Sequence, residues 1–129
     1  MIVLVQTGAG AFGLDLDTEE VEPADAFTVE PAPQLNLPRV VTAAQCGSTV
    51  VAVVDAKPPL LVSHDAGTTW RDSGRGLSEG RAVAIDDLDP DIVVFATRNR
   101  LHLSRDGGMF WASLAVELPE IQTLMLREA

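Results

Sequence analysis

The 129-residue sequence has few of several residue types on which common functions depend. Its single cysteine, Cys46, excludes an intrachain disulfide and a cysteine-based zinc cluster. It contains no tyrosine, which excludes enzymes that use a tyrosine nucleophile. No apolar run approaches the roughly 20 residues of a membrane-spanning helix. We therefore expect a chain without membrane segments and without a cofactor.

Basic residues are also scarce. Nine Lys and Arg stand against nineteen Asp and Glu, a formal net charge of −10, and residues 1–38 contain acids but no basic residue. This charge repels a phosphate backbone, so nucleic acid is excluded as a partner. The apolar start, "MIVLVQTGAGAFG", has no Lys or Arg before it and is too short for a signal peptide. We expect one domain in a cytoplasmic protein.

An eight-residue phrase occurs twice. "SHDAGTTW", from Ser63 to Trp70, returns as "SRDGGMFW", from Ser104 to Trp111, and the flanking segments repeat with a period of about 42 residues. "RVVTAA" at Arg39 matches "RAVAID" at Arg81, and "VVAVVD" matches "IVVFAT". Apolar β-branched runs separated by turn residues predict a four-stranded antiparallel meander in each repeat.

The phrase itself is typical of a tight turn between the third and fourth strands. Glycine can adopt the positive φ of such a turn, Asp and Ser side chains can bond its backbone N–H groups, and Trp can fill the gap between stacked sheets. These structural roles are predicted for Ser63, Asp65, Gly67, Thr69, Trp70, Ser104, Asp106, Gly108 and Trp111.

This pattern, S-x-D-x-G-x-T-W, resembles the Asp-box, or BNR repeat, of β-propellers. The first copy matches every defined position, whereas the second has Phe110 in place of Thr69. The surrounding repeat is similar to sortilin-type, xyloglucanase and photosystem assembly-factor propellers. The resemblance implies blades of four strands, with the box on the periphery of the ring, as in sialidases. Sialidase activity is excluded because the chain has no tyrosine nucleophile.

The repeat divides the chain into about three blades of an all-β partial propeller. "IVLVQT" at Ile2 aligns with "IVVFAT" at Ile92, and we place "FGLDLD" at Phe12 opposite "LHLSRD", which puts Asp17 at the position of Asp106. The predicted parts of this single domain are an incomplete first blade (1–24), a proline-rich connector (25–38), a second blade (39–80), a third blade (81–118) and a closing strand (119–129).

Three blades leave two sheet faces uncovered, since propellers typically have four to eight. We expect a homodimer that forms a six-bladed ring, in which each closing strand completes the first blade of the neighbouring copy. A nine-bladed trimer and a fragment of a longer polypeptide are the alternatives.

Candidate sites beyond the boxes are few. Arg39 and Arg81 open corresponding strands and are candidates for an anion site in the ring's channel. The acids of "DDLDPD" could ligate calcium, although their place between two strands favours a solvated turn over a metal site; they are Asp86, Asp87, Asp89 and Asp91. The connector is an edge for partner docking, a lid or a simple linker.

The expected function is therefore non-enzymatic: a propeller scaffold or binding module for a protein, a peptide or a small ligand. The alternative is a glycan-binding or glycoside-hydrolysing propeller, as the xyloglucanase resemblance implies. No pair of carboxylates in the sequence aligns with the acids of such enzymes.

Overall fold

The computed structural model describes residues 1–128, which form twelve β-strands. They are β1 (Ile2–Thr7), β2 (Gly10–Asp15), β3 (Val21–Ala24), β4 (Val40–Cys46), β5 (Thr49–Val54), β6 (Leu60–Ser63), β7 (Arg71–Ser73), β8 (Ala82–Ile85), β9 (Val93–Ala96), β10 (Arg100–Ser104), β11 (Ala112–Glu117) and β12 (Ile121–Arg127). The described residues contain no helix, and thus none that could cross a membrane.

The strands form three four-stranded antiparallel sheets, which confirms the all-β prediction. The first sheet has the order β12-β1-β2-β3, the second β4-β5-β6-β7 and the third β8-β9-β10-β11. Continuous apolar, largely β-branched runs form the buried central strands β5 and β9, because side chains on both faces of these strands are covered. This architecture is compatible with blades of a partial propeller.

The sheets stand in a row, joined through the strands β4, β8 and β12, which we call the inner strands. β8 contacts β4 on one side and β12 on the other. The order is second, third, first, so the first and second sheets end the row.

Two buried seams join the sheets. The seam between the second and third sheets contains Val51, Val53, Leu60, Val62, Ile85, Val93 and Phe95. The seam between the third and first sheets contains Leu101 and Leu103 against Val3, Leu14 and Leu124. Together they remove most of the large aliphatic side chains from water, which is the main stabilising contribution to the fold.

The closing strand differs from the expectation. In this structure β12 pairs with β1 of its own chain, with Ile2 opposite Arg127 and Val5 opposite Leu124. The expectation that two copies exchange this strand is therefore corrected. The inner edge of β1 is already paired within one chain, and no neighbour is needed to complete the first sheet.

The register of β2 also differs from the sequence alignment by one residue. Val3 pairs with Leu14, as Val93 pairs with Ser104 in the third sheet. Leu14 thus takes the serine position of a box and Leu16 the aspartate position, so Asp17 does not replace Asp106. A slip of one residue turns every side chain to the other face. Here it buries Leu14 and Leu16 in the seam with the third sheet.

The connector runs from β3 back to β4 at the far end of the row. Its alternate residues Pro33, Leu35 and Leu37 are half-buried while their neighbours are exposed. Leu35 and Leu37 pack on the cluster of Ala43, Ala52 and Val54, on the outer face of the second sheet. No hydrogen bond joins residues 25–38 to the rest of the described chain, so apolar contacts alone hold the connector in place.

Candidate functional site

The first copy of the eight-residue phrase, residues 63–70, which we call the first box, is a hairpin held by its own side chains; the second box is residues 104–111. Ser63 Oγ donates to Asp65 Oδ1 over 2.7 Å and accepts from the backbone N–H of Gly67 over 2.8 Å. The Asp65 carboxylate also accepts from the backbone N–H of Thr69 at 2.8 Å and from the Thr69 hydroxyl at 2.6 Å. Gly67 has φ +90°, which a residue with a side chain rarely adopts.

These bonds hold the pKa of Asp65 low. The hydroxyl of Thr69 is the largest cause, followed by the Thr69 N–H and the Ser63 hydroxyl, and the pKa falls from 3.8 to about 2. All of these donors stabilise the ionised form of the carboxyl. The carboxylate of Asp65 is therefore occupied in maintaining the turn.

The second box repeats the arrangement without one hydroxyl. Ser104 Oγ donates to Asp106 Oδ1 over 2.7 Å and accepts from Gly108 N over 2.9 Å. Asp106 accepts from the N–H groups of Met109 and Phe110. The N–H of Phe110 is the largest cause of its lowered pKa. The side chain of Phe110 cannot replace the missing hydroxyl and is 79% exposed.

We predict that the first box weakens in acid in a way that depends on Thr69. A carboxyl whose pKa is depressed by folding stabilises the fold above its unfolded pKa, and this contribution disappears as the pH falls from 3.8 to about 2. Thr69→Val removes the strongest donor, so the titration midpoint of Asp65 should rise. Carboxyl ¹³C NMR measures that midpoint directly.

The control is Thr68→Val, because the Thr68 side chain is exposed and makes no hydrogen bond within the described chain. An equal midpoint of Asp65 in Thr69→Val and in the unmutated protein would contradict the assigned role of the Thr69 hydroxyl.

The second tryptophan links two sheets. Trp111 Nε1 donates to Ser73 Oγ of the second sheet over 2.8 Å, and the Ser73 hydroxyl in turn donates to the carbonyl of Gly108. The Trp111 ring meets Phe95 edge-on, with ring centroids 5.9 Å apart. The boxes also meet directly, since His64 Nε2 lies 3.0 Å from the Gly107 carbonyl oxygen. The boxes therefore hold sheets together as well as turns.

A chain of polar side chains around His102 was not visible in the sequence. His102 Nδ1 lies 2.7 Å from Ser113 Oγ and His102 Nε2 lies 3.3 Å from Thr97 Oγ1. Burial lowers the pKa of His102, and the Arg100 cation lowers it further. His102 and Ser113 are opposite each other on neighbouring strands, so only the strand register reveals the pair. No carboxylate bonds this histidine in the described structure, which is the arrangement of a satisfied buried histidine.

The two arginines proposed as an anion site have different surroundings. Arg81 lines the groove described below and forms an ion pair with Glu120, with 2.9 Å between Nη1 and Oε1. Arg39 is exposed, and the residues that line the groove do not include it. Glu120 lies directly before β12, just as Arg39 lies directly before β4 and Arg81 directly before β8. The residue at this position of the third inner strand is therefore the counter-ion of Arg81.

The acidic turn after β8 does not assemble a cation site in the described residues. No group of three His, Cys, Asp or Glu side chains is placed to hold a metal ion between residues 1 and 128. Asp89 Oδ1 accepts from the N–H of Asp91 over 3.1 Å, and Asp86 is buried while Asp87 is exposed. The carboxylates therefore point to different surroundings and shape the turn.

A large concave surface lies along the inner strands. This inner groove has a volume of about 940 Å³ and is lined by Thr42–Gln45 of β4, 81–85 at β8, Gln122–Leu126 of β12 and Thr28–Pro33 of the connector. Each inner strand pairs on one side only, so its other edge carries backbone N–H and C=O groups without a strand partner. Three sheet edges converge on one groove.

Most of the side chains that line the inner groove are small or medium-sized and uncharged. Its side chains are mainly Ala, Val, Thr and Gln, and none is aromatic. The charged members are Glu30, Arg81 and Asp87. Such a surface offers hydrogen bonds from backbone groups and narrow apolar contacts, and it offers no aromatic face on which a sugar ring could stack.

Comparison with known proteins adds no family: no family model matches the chain, and no curated protein matches it. The interpretation of the site therefore rests on its geometry.

Proposed function

We propose that this chain is half of an Asp-box propeller and that it serves as a non-enzymatic scaffold binding an extended protein segment. Two features support the propeller assignment: two hairpins with the same Ser-Asp-Gly bonding, and three sheets placed side by side through their inner strands. The ring is completed by a second copy, because three blades are half of a six-bladed ring and leave an outer sheet face at each end of the row, one of them partly covered by the connector.

The observation that carries the binding proposal is the convergence of three unpaired sheet edges on the inner groove. An extended peptide can add itself to such an edge, with its backbone bonded to the strand and its side chains in adjacent pockets. The small residues on β4 and β8 leave room for a peptide backbone to approach. The net charge of −10 favours a neutral or basic segment over an acidic one.

The connector fits this proposal as a movable cover. Thr28–Pro33 lie in the inner groove without a hydrogen bond to the inner strands in the described chain. A peptide that bonds those edges would gain contacts that the connector does not make. The glycan alternative has no comparable observation in its favour, because the groove lacks aromatic side chains.

The test is selection from a displayed peptide library on the intact protein, followed by titration calorimetry of the selected peptides. We expect Gln122→Arg, at an exposed position of β12 in the groove, to weaken binding about tenfold or more by obstructing it. Gln34→Arg is the matched control, since Gln34 is exposed in the connector and does not line the groove.

The proposal fails if no peptide binds, or if Gln122→Arg and Gln34→Arg bind alike. Turnover of a glycan in a substrate panel would favour the enzymatic alternative.

A further inference from the structure

The seam between the second and third sheets shows how a box seats on a neighbouring sheet. Val51 and Val62 are paired across strands β5 and β6. A Cβ added to Gly108 would lie 3.2 Å from Val62 Cγ2 and 3.6 Å from Val51 Cγ2. Trp111 packs on the same cluster. The second box thus rests its glycine on one cross-strand pair of the preceding sheet, and its tryptophan packs on the surrounding cluster and reaches Ser73, which pairs with Leu60.

The first box has the same parts but no sheet in front of it. Trp70 is half-buried on the outer face of the second sheet, in contact with the cluster that includes Ala52. A Cβ on Gly67 would meet only Trp70, at 3.4 Å. The connector residues Leu35 and Leu37 pack on the same cluster. The connector therefore covers part of this face, and Trp70 remains half-exposed for contact with a partner.

The outer face of the first sheet holds the matching position at the opposite end of the row. Leu4 pairs with Gly13 there, at the register that Val94 and Leu103 occupy in the third sheet. That register corresponds to the Val51–Val62 pair on which Gly108 of the second box rests. A glycine at this place lowers the surface, so a large side chain can approach the backbone closely.

We propose that the first box of one copy seats on the first sheet of a second copy, with Gly67 over the Leu4–Gly13 pair and Trp70 beside it, and that this contact closes the six-bladed ring. The inference rests on the proposed ring and assigns its two identical intermolecular seams. In each, the first sheet of one copy receives the first box of the other, as the second sheet receives the second box within one chain. A two-fold axis relates the two seams, so the assembly closes at two copies.

The hydrogen bonding of Trp70 permits this burial. The indole N–H of Trp111 donates to the Ser73 hydroxyl. The residue of the first sheet at the position of Ser73 is Ala24, because Ala24 pairs with Ala11 as Ser73 pairs with Leu60. Ala24 has no side-chain acceptor. Trp70 Nε1 instead donates to the carbonyl of Gly67 in its own box, over 3.1 Å. Seating its ring on a second copy therefore leaves no buried donor unpaired.

The accessible surface of one copy is slightly larger than that of a compact monomer. The chain exposes 7155 Å², against about 6,600 Å² for a compact monomer of its mass. Each copy carries a net charge of −10, so the two copies repel each other and added salt should strengthen their association.

The experiment is sedimentation equilibrium of the full chain from about 1 µM to about 1 mM, the range in which association free energies of intermediate strength are measured. The unmutated protein should reach twice 13.7 kDa. Gly13→Arg should weaken association about tenfold or more. The substitution is compatible with the fold, since a Cβ on Gly13 would meet Ile2 and Leu4 at ordinary distances of 3.6 and 3.8 Å.

Gly8→Arg is the control, because it changes the charge equally in a hairpin where a Cβ has nothing within 4 Å. Gly13→Arg also reduces the repulsion between copies, so loss of dimer in this variant cannot come from charge. Fluorine NMR of 5-fluorotryptophan protein, assigned with Trp70→Phe, should show the Trp70 signal alone moving with concentration.

The outcomes separate the two proposals. A monomer at every concentration overturns the ring and this seam together. A dimer that survives Gly13→Arg, or whose Trp70 signal does not move, overturns the seam and leaves the dimer. Peptide binding in the inner groove is tested separately and stands or falls without this result.

Discussion

Truncation of Phe95 to alanine should lower the free energy of unfolding by about 3–5 kcal/mol, the range for removing a buried aromatic ring. Phe95 is fully buried between the second and third sheets. Its ring centroid lies 5.9 Å from that of Trp111 and 5.8 Å from that of His102. The loss combines transfer of the ring to water with the cavity left among side chains of two sheets that cannot fully collapse.

Urea unfolding measures this effect, and Phe110→Ala is its control. Phe110 is 79% exposed in the second box, so its truncation should change the free energy of unfolding by no more than about 0.5 kcal/mol. Similar losses in both variants would mean that Phe95 does not bridge the two sheets as described.

Adding a single methyl group at Gly80 should destabilise the same seam by about 1–3 kcal/mol. A Cβ there would lie 2.3 Å from Phe95 Cε1 and 2.5 Å from Val53 Cγ1, distances that force one sheet to move. Gly80→Ala is compared with Gly8→Ala, where the new methyl group has nothing within 4 Å.

The cause can be separated by a second substitution. If crowding by the Phe95 ring produces the loss, Gly80→Ala should cost less in a Phe95→Leu background, which a double-mutant cycle measures. Additive losses would locate the conflict at Val53 instead.

The sequence predicts the strand content because its repeat carries the turns. Gly67 and Gly108, with the aspartates before them, mark hairpins whose geometry only a few residue types allow. The apolar β-branched run of β5 and the similar run of β9 are long enough to identify central strands. Those local signals are sufficient for three four-stranded sheets.

The sequence does not predict the register of β2 or the partner of β12. "FGLDLD" resembles "LHLSRD" best with a shift of one residue, but burial of Leu14 and Leu16 in the seam favours the unshifted pairing. A few apolar side chains packed between sheets decide that choice, and they are distant in sequence. Whether β12 pairs with its own chain or another depends likewise on long-range geometry.

The candidate site was only partly accessible from the sequence. The box residues were identifiable by their spacing, and their hydrogen bonds follow from it. The inner groove could not be identified from the sequence. It is formed by backbone edges of three sheets and by a connector whose contacts come from Leu35 and Leu37. The pairing of Arg81 with Glu120 was also invisible, since 39 positions separate them.

The pairing of β1 with β12 has a consequence for how the molecule folds. The other strand pairs join neighbours along the chain and could form one sheet at a time, as repeats of a solenoid do. The pair that sets Ile2 opposite Arg127 instead requires closure of a loop that contains nearly the whole molecule, a slow step because its entropy must be lost before the contact forms. During synthesis, the edge of β1 therefore has no strand partner until β12 has been made. We expect the first sheet to be the last to be completed.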